Sequence, residues 1–249
     1  MPIPPVPVIT GVIATAVSTI SGPPHVAVSW DVAADPLPDI WAEYVVYRQD
    51  PVTLLYTAIA GVIARAAVTY NDYVAPSGTD TYVVTQIQVQ QSTGLTLESA
   101  LSAPASASLS WGVSNVIADV LNAPVYNMVL GAPQVNLSYN QTIAYQHVWG
   151  RQQPSAIAST EEWATLQFDT REFANSDFSR WNILKALMQR QRTLHSMQCL
   201  RMGTSGERYF TTIDPSGGLS RIDVATIIKP PVKLIETFFN ESVHTYFGP

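Results

Sequence analysis

The chain has 249 residues, of which 47% are apolar and only 13% charged, about half the charged share of an ordinary soluble domain. Its formal net charge of −6 speaks against a dedicated nucleic-acid binder, because phosphate contacts need clustered Lys and Arg. A single cysteine, Cys199, excludes a disulfide framework and a CxxC-type metal site; in the strand-like run "LHSMQCLRM" it reads as a packed thiol. The charge is also unevenly placed. Residues 1–111 hold Arg48 and Arg65 against eight carboxylates, a net −6, while the remainder balances at eleven of each sign. No lysine precedes Lys185. Two halves of different composition predict two domains, 1–111 and 112–249.

The leader "MPIPPVPVITGVIATAVSTI" is apolar but has no Lys or Arg, and Pro2, Pro4, Pro5 and Pro7 interrupt it. It predicts neither a signal peptide nor a membrane span. Without a secretory route, the sequons at Asn136, Asn140 and Asn240 carry no weight. Strands follow. "VITGVIATAV" is β-branched, and "HVAVSWDV" alternates, with Val26, Val28 and Trp30 on one face and His25, Ala27, Ser29 and Asp31 on the other. "WAEYVVYRQD", "TLLYTAIA", "ARAAVTYND", "TYVVTQIQVQ" and "TLESALSAPASASLS" complete a set of seven. Prolines in "ADPLPD" and the turn "APSGTD" punctuate them. Seven short strands at regular spacing predict a β-sandwich. Trp30 then fills the gap between sheets; the competing reading makes it a ligand-stacking surface residue.

Several runs in this half resemble a fibronectin type III module. They are "PPVPVITGVIATAVSTISGPPHVAVSWD", "AEYVVYR", "VTYNDYVAPSGTDTYVVTQI" and "LSAPASASL", in that order over residues 7–110. The resemblance implies a spacer or adhesion module and supplies no catalytic residue.

In the second half, "SWGVSNVIADVLNAP" predicts a short helix at roughly 113–121. "VYNMVLGAPQVNLSYN", "TIAYQHVWGRQQP" and "EEWATLQFDTREF" read as strands. One clear helix, about 176–192, shows an apolar stripe of Phe178, Trp181, Leu184, Leu187 and Met188. Ser176 or Asn175 can cap it and Asp177 suits its first turn, while Lys185, Arg190 and Arg192 lie toward the favourable C-terminal end. "HSMQCLRM", "ERYFTTI", "LSRIDVATII" and "VKLIETFF" then form a meander. The fold class expected is mainly β: a fibronectin type III-like sandwich followed by a β-barrel or sandwich with one flanking α-helix.

Chemistry is sparse. "GTSG" at 203–206 lacks the last glycine of a nucleophile elbow, since Glu207 follows, and reads as a hairpin turn. His25, His147, His195 and His244 are scattered, with no neighbour at metal-ligand spacing. Glu161 and Glu162, a conceivable acid–base pair, sit in "STEEW", read as a solvated loop entering a strand. Asp169, Arg171 and Glu172 form a charge-balanced strand exit. No catalytic residue, cofactor or metal is therefore predicted. The segment "VWGRQQPSAIAS" stands out; its Trp149, Arg151, Gln152, Gln153 and Pro154 form either a plain surface loop or a loop inserted into a neighbouring subunit.

"VWGRQQP", the helix running into "LKALMQRQRTLHSMQCLRMGTSGERYFTTI", and "VKLIETF" together resemble β-barrel structural proteins of tailed-bacteriophage tails, over roughly residues 124–243. That resemblance implies a minor tail or distal tail protein of the virion, made in the host cytoplasm without a signal peptide. Its partners would be other tail proteins and copies of itself in a ring, with a host-surface glycan as a candidate ligand. The rival function is a carbohydrate-binding or accessory module of a polysaccharide-acting protein, with six Trp and eleven Tyr as stacking material. A small hydrolase lacks a nucleophile–base pair.

Overall fold

The computed structural model describes residues 5–18, 23–36, 38–112, 115–120, 127–131, 135–146, 155–168, 178–203, 205–214 and 232–237. The first half is a β-sandwich of two antiparallel sheets. One sheet orders β1 (Ile13–Val17), β2 (His25–Ser29) and β5 (Thr69–Asp72). The other orders β4 (Tyr56–Val62), β3 (Ile40–Gln49), β6 (Gly78–Val89) and β7 (Thr96–Glu98), with β8 (Ala105–Leu109) pairing the first part of β6. The expected last strand is thus split into β7 and β8. Pro104 cannot donate to a ladder. In the gap Ser99 and Ser102 take over: each donates its backbone N–H to β6 and accepts a β6 N–H, from Gln86 and Val84, on its hydroxyl.

Alternation decides what is buried. Val26 and Val28 are fully buried, and Trp30 is 4% exposed with its ring edge-on to Tyr44 at 5.2 Å. Trp30 is therefore a core residue and not a stacking platform. Tyr44 ties the loops above it, accepting the Ala33 N–H at 2.8 Å and donating to the Arg65 carbonyl at 3.0 Å. On the opposite face of β2, His25 stacks on Tyr73 at 4.5 Å, while exposed Asp31 accepts the Thr10 hydroxyl at 2.9 Å. Gly11 must be glycine there: its φ is +66°, and a Cβ would lie 2.4 Å from the Asp31 carboxylate. Low in the core, Arg48 and Asp72 form a buried ion pair at 2.6 Å, with the Tyr82 hydroxyl donating to Asp72 at 3.1 Å.

The second half is a seven-stranded antiparallel sheet. Its strands are β9 (Asn115–Asp119), β10 (Met128–Gly131), β11 (Val135–Gln146), β12 (Ser155–Phe168), β13 (Gln198–Arg201), β14 (Arg208–Ile213) and β15 (Val232–Glu236). Their order is β10-β9-β13-β14-β15-β12-β11, and no pairing between β10 and β11 closes it into a barrel among the described residues. The helix α1, Phe178–Leu194, runs two residues past its expected end at 192. Its Leu184 and Leu187 are fully buried against Ile117, Leu166, Leu200 and Leu234. Two polar side chains fix the helix further. Arg190 pairs with buried Asp119 at 2.9 Å, and Gln191 exchanges two hydrogen bonds with the Ile213 backbone.

The helix expected at 113–121 is corrected: its centre is β9, a strand between β10 and β13. All five residues of β9 are buried, Ile117 in the core beneath α1 and Val116 and Ala118 on the reverse face. A short run buried on both faces shows no period-2 alternation, so its pattern mimics a buried helix.

Candidate functional site

The most unusual feature of the backbone is the β11–β12 hairpin. The two strands pair from Val135↔Phe168 to Gln146↔Ser155. Their neighbour β15 covers only Thr165–Phe168 of β12. Residues 140–146 and 155–163 thus pair only with each other among the described residues, an arm about 20 Å long at roughly 3.3 Å per residue. A register shift between Gln141 and Ile143 places a bulge in it, which bends the ribbon. A two-stranded ribbon is at best marginally stable alone in water, so such an arm gains from pairing or packing with another chain. Its root is held firmly. The Ala164 N–H donates to the Glu236 carboxylate at 2.7 Å, and the Tyr139 and Tyr209 hydroxyls meet at 3.4 Å. Burial, then the Tyr139 bond, raises the Tyr209 pKa well above the usual phenol value.

Trp149, Arg151, Gln152, Gln153 and Pro154 lie outside the described residues; the structure supplies their anchors, the paired Gln146 and Ser155. The loop assigned to Glu161 and Glu162 is corrected. Both belong to β12, with Glu162 opposite Gln141. Asp169, Arg171, Glu172, His147, His244 and the sequon at Asn240 also lie outside the described residues, as do Asn175, Ser176, Asp177 and the strand read in "LSRIDVATII".

A second feature escaped the sequence: the junction of sandwich and sheet. Arg201 is fully buried, donates to the Pro24 carbonyl at 2.8 Å and holds its guanidinium 5.3 Å from the Trp111 ring. Burial lowers its pKa; Cys199 and Asp72 partly oppose the shift. Arg208 donates to the Val74 carbonyl at 2.8 Å. These two arginines face each other across the β13–β14 pair. Like charges directly opposite are unfavourable in a sheet unless each has its own partner, and each reaches a separate sandwich carbonyl. That opposition is the signal a hairpin alignment of "QCLRM" with "ERYF" offers.

The remaining candidates do not converge. His195 follows α1 with φ +52° and is exposed, and the His25 ring lies against Tyr73 in the sandwich. Cys199 is a buried free thiol. "GTSG" is part of a hairpin turn, closed by Met202 N–H to Glu207 and Gly206 N–H to Met202. No group of three His, Cys, Asp or Glu gathers among the described residues, and no helix there is long and apolar enough to cross a membrane. A surface groove of about 510 Å3 runs between Pro5–Val8 and Leu97–Ala100. It is mostly aliphatic, and its Glu98 is occupied by the Tyr47 and Thr85 hydroxyls, both at 2.6 Å. Comparison with known proteins finds no match to a family model, a curated protein or a solved structure.

Proposed function

We propose that this chain is a non-enzymatic structural protein of a tailed-phage virion, a tail or tail-tip component that acts through assembly contacts. Its partners are neighbouring tail proteins and further copies of itself, and a ring is the simplest arrangement. The β11–β12 arm carries the reading. An arm anchored at its root and, among the described residues, paired with nothing further suits insertion into a neighbour, and Trp149, Arg151, Gln152, Gln153 and Pro154 then form the contact at its end. The arginine-fixed junction adds support, because a module held in one orientation on its sheet can be presented at a defined angle from a particle. The sequence resemblance to tail β-barrel proteins points the same way.

The test has two parts. Native mass spectrometry and negative-stain imaging of the purified chain should show a closed oligomer, and an antibody to it should label virion tails. Replacing residues 143–158 by a two-residue turn should lower the oligomer to smaller species. A monomer that binds glycans and is absent from particles overturns the proposal in favour of a carbohydrate-binding module.

A further inference from the structure

A row of polar side chains crosses the core of the second half. Register places Asp119 on β9 opposite Gln198 on β13, Gln198 opposite Thr211 on β14, and Thr211 opposite Glu236 on β15. Asp119, Gln198 and Thr211 are fully buried. All three share the face of the sheet that α1 covers, because side chains two residues apart on a strand point the same way. Asp119 stands two residues from Ile117, Gln198 two from Leu200, and Thr211 two from both Tyr209 and Ile213, all of them core residues. Polar groups buried in such a setting cost stability unless each finds a hydrogen-bond partner.

The protein answers part of the row. Arg190 of α1 pairs with Asp119 at 2.9 Å, the Thr211 hydroxyl donates to the Gln198 backbone carbonyl at 3.4 Å, and Glu236 accepts the Ala164 N–H at 2.7 Å. The side-chain oxygen of Asn127 accepts the Asp119 N–H at 2.9 Å. Among the described residues, nothing answers both amide atoms of Gln198, the Nδ2 of Asn127 or the Ser196 hydroxyl. Gln198 is 0% exposed, Ser196 2% and Asn127 8%. Topology gathers them: Ser196 lies two residues before Gln198, and Asn127 is bonded to the residue opposite Gln198.

The chemistry of these four atoms selects a ligand. The two amide nitrogens only donate, the Gln198 Oε1 only accepts, and the hydroxyl does both. A metal cation would meet two NH2 groups beside Arg190. An anion would meet Oε1 beside the Asp119 carboxylate. The Arg190–Asp119 pair already balances the local charge. A neutral molecule that both donates and accepts fits, and the enclosure of Gln198 limits it to the smallest. We propose that Gln198 is the centre of an internal water site, in which ordered water bridges its amide to Ser196 and Asn127. Buried waters typically make about three hydrogen bonds to polar groups the protein itself leaves unanswered. The site gives α1 a mixed seat, apolar under Leu184 and Leu187 and polar under Arg190. It also marks the register of β13, since a one-residue slip would turn Gln198 to the reverse face and take its amide from the water. None of this depends on the assembly reading.

A high-resolution crystal structure of the full chain tests the site directly. It should show ordered solvent within hydrogen-bond distance of the Gln198 amide and of Ser196 or Asn127. An amide in contact with protein atoms alone overturns the proposal. Equilibrium unfolding of Gln198→Met, a side chain of similar volume, gives an independent reading of opposite sign for the two cases. A water-bridged amide predicts an unfolding constant raised at least about threefold, whereas exchanging an orphaned amide for an apolar group of like shape stabilises. A variant as stable as the wild type, or more stable, therefore overturns the site as well. Should Gln198→Met fail to fold, Ser196→Ala carries the same prediction and the same refutation.

Discussion

Replacing Asp72 by asparagine should be among the most damaging conservative changes in the sandwich. Asp72 is fully buried and accepts three donors: Arg48 Nη1 at 2.6 Å, the Tyr82 hydroxyl at 3.1 Å and the Val74 N–H at 3.1 Å. Its charge also favours the protonated form of Arg201 at the junction. Asparagine preserves the shape and loses the charge, so Arg48, itself 5% exposed, is left as a buried cation without that counter-ion. Removing one side of a buried pair costs about 3–5 kcal/mol, whereas replacing both sides by groups of similar volume is often neutral. The Asp72→Asn/Arg48→Met double variant should therefore recover at least about 2 kcal/mol of the loss. Urea unfolding followed by tryptophan fluorescence measures all three variants. The reasoning fails if Asp72→Asn loses under about 1 kcal/mol, or if the double variant is as unstable as the sum of the singles.

Three further outcomes are expected. Burial, then the Glu98 hydrogen bond, pushes the Tyr47 pKa up to about 12 from its ordinary 10.0. Its contribution to stability is therefore whole below pH 10 and lost as pH rises from about 10 to 12; Tyr47→Phe should flatten that limb of a stability–pH curve, and an unchanged limb would assign it elsewhere. Trp30→Ala should cost about 3–5 kcal/mol in equilibrium unfolding, since the ring sits between the sheets; a surface aromatic would lose far less. Leu54→Gly removes a left-handed penalty of about 1–2 kcal/mol against a glycine entropy cost of about 0.5–1 kcal/mol. The chain should gain a few tenths to about 1 kcal/mol in calorimetry, and a loss of stability would argue against strain at Leu54, whose φ is +59° in the turn between β3 and β4.

The parts of the fold legible in the sequence are those with one wet face and one dry face. "HVAVS" alternates because its inward residues meet a core, and α1 shows its stripe because Leu184 and Leu187 meet the sheet. Where that asymmetry vanishes, legibility goes with it. Strand β9 is dry on both faces and reads as a helix. Among the described residues the outer part of β12 pairs only with its hairpin partner, so "STEE" carries no core pattern and reads as a loop. Arg201 and Arg208 look like ordinary hairpin cations until register sets them opposite each other beneath the sandwich.

The junction also sets a timetable for making the protein. Arg201 bonds to Pro24 across 177 residues and Arg208 to Val74 across 134. Chains fold from the N-terminus as they are synthesised, at about 5–20 residues per second. Trp111 marks the end of the sandwich, and Arg201 emerges roughly 5–20 s after it. During that interval the underside of a sandwich already able to fold stays wet, with Trp111 lacking its guanidinium neighbour. Chaperones and premature self-pairing have their opportunity then, and slower translation between residues 111 and 201 lengthens it.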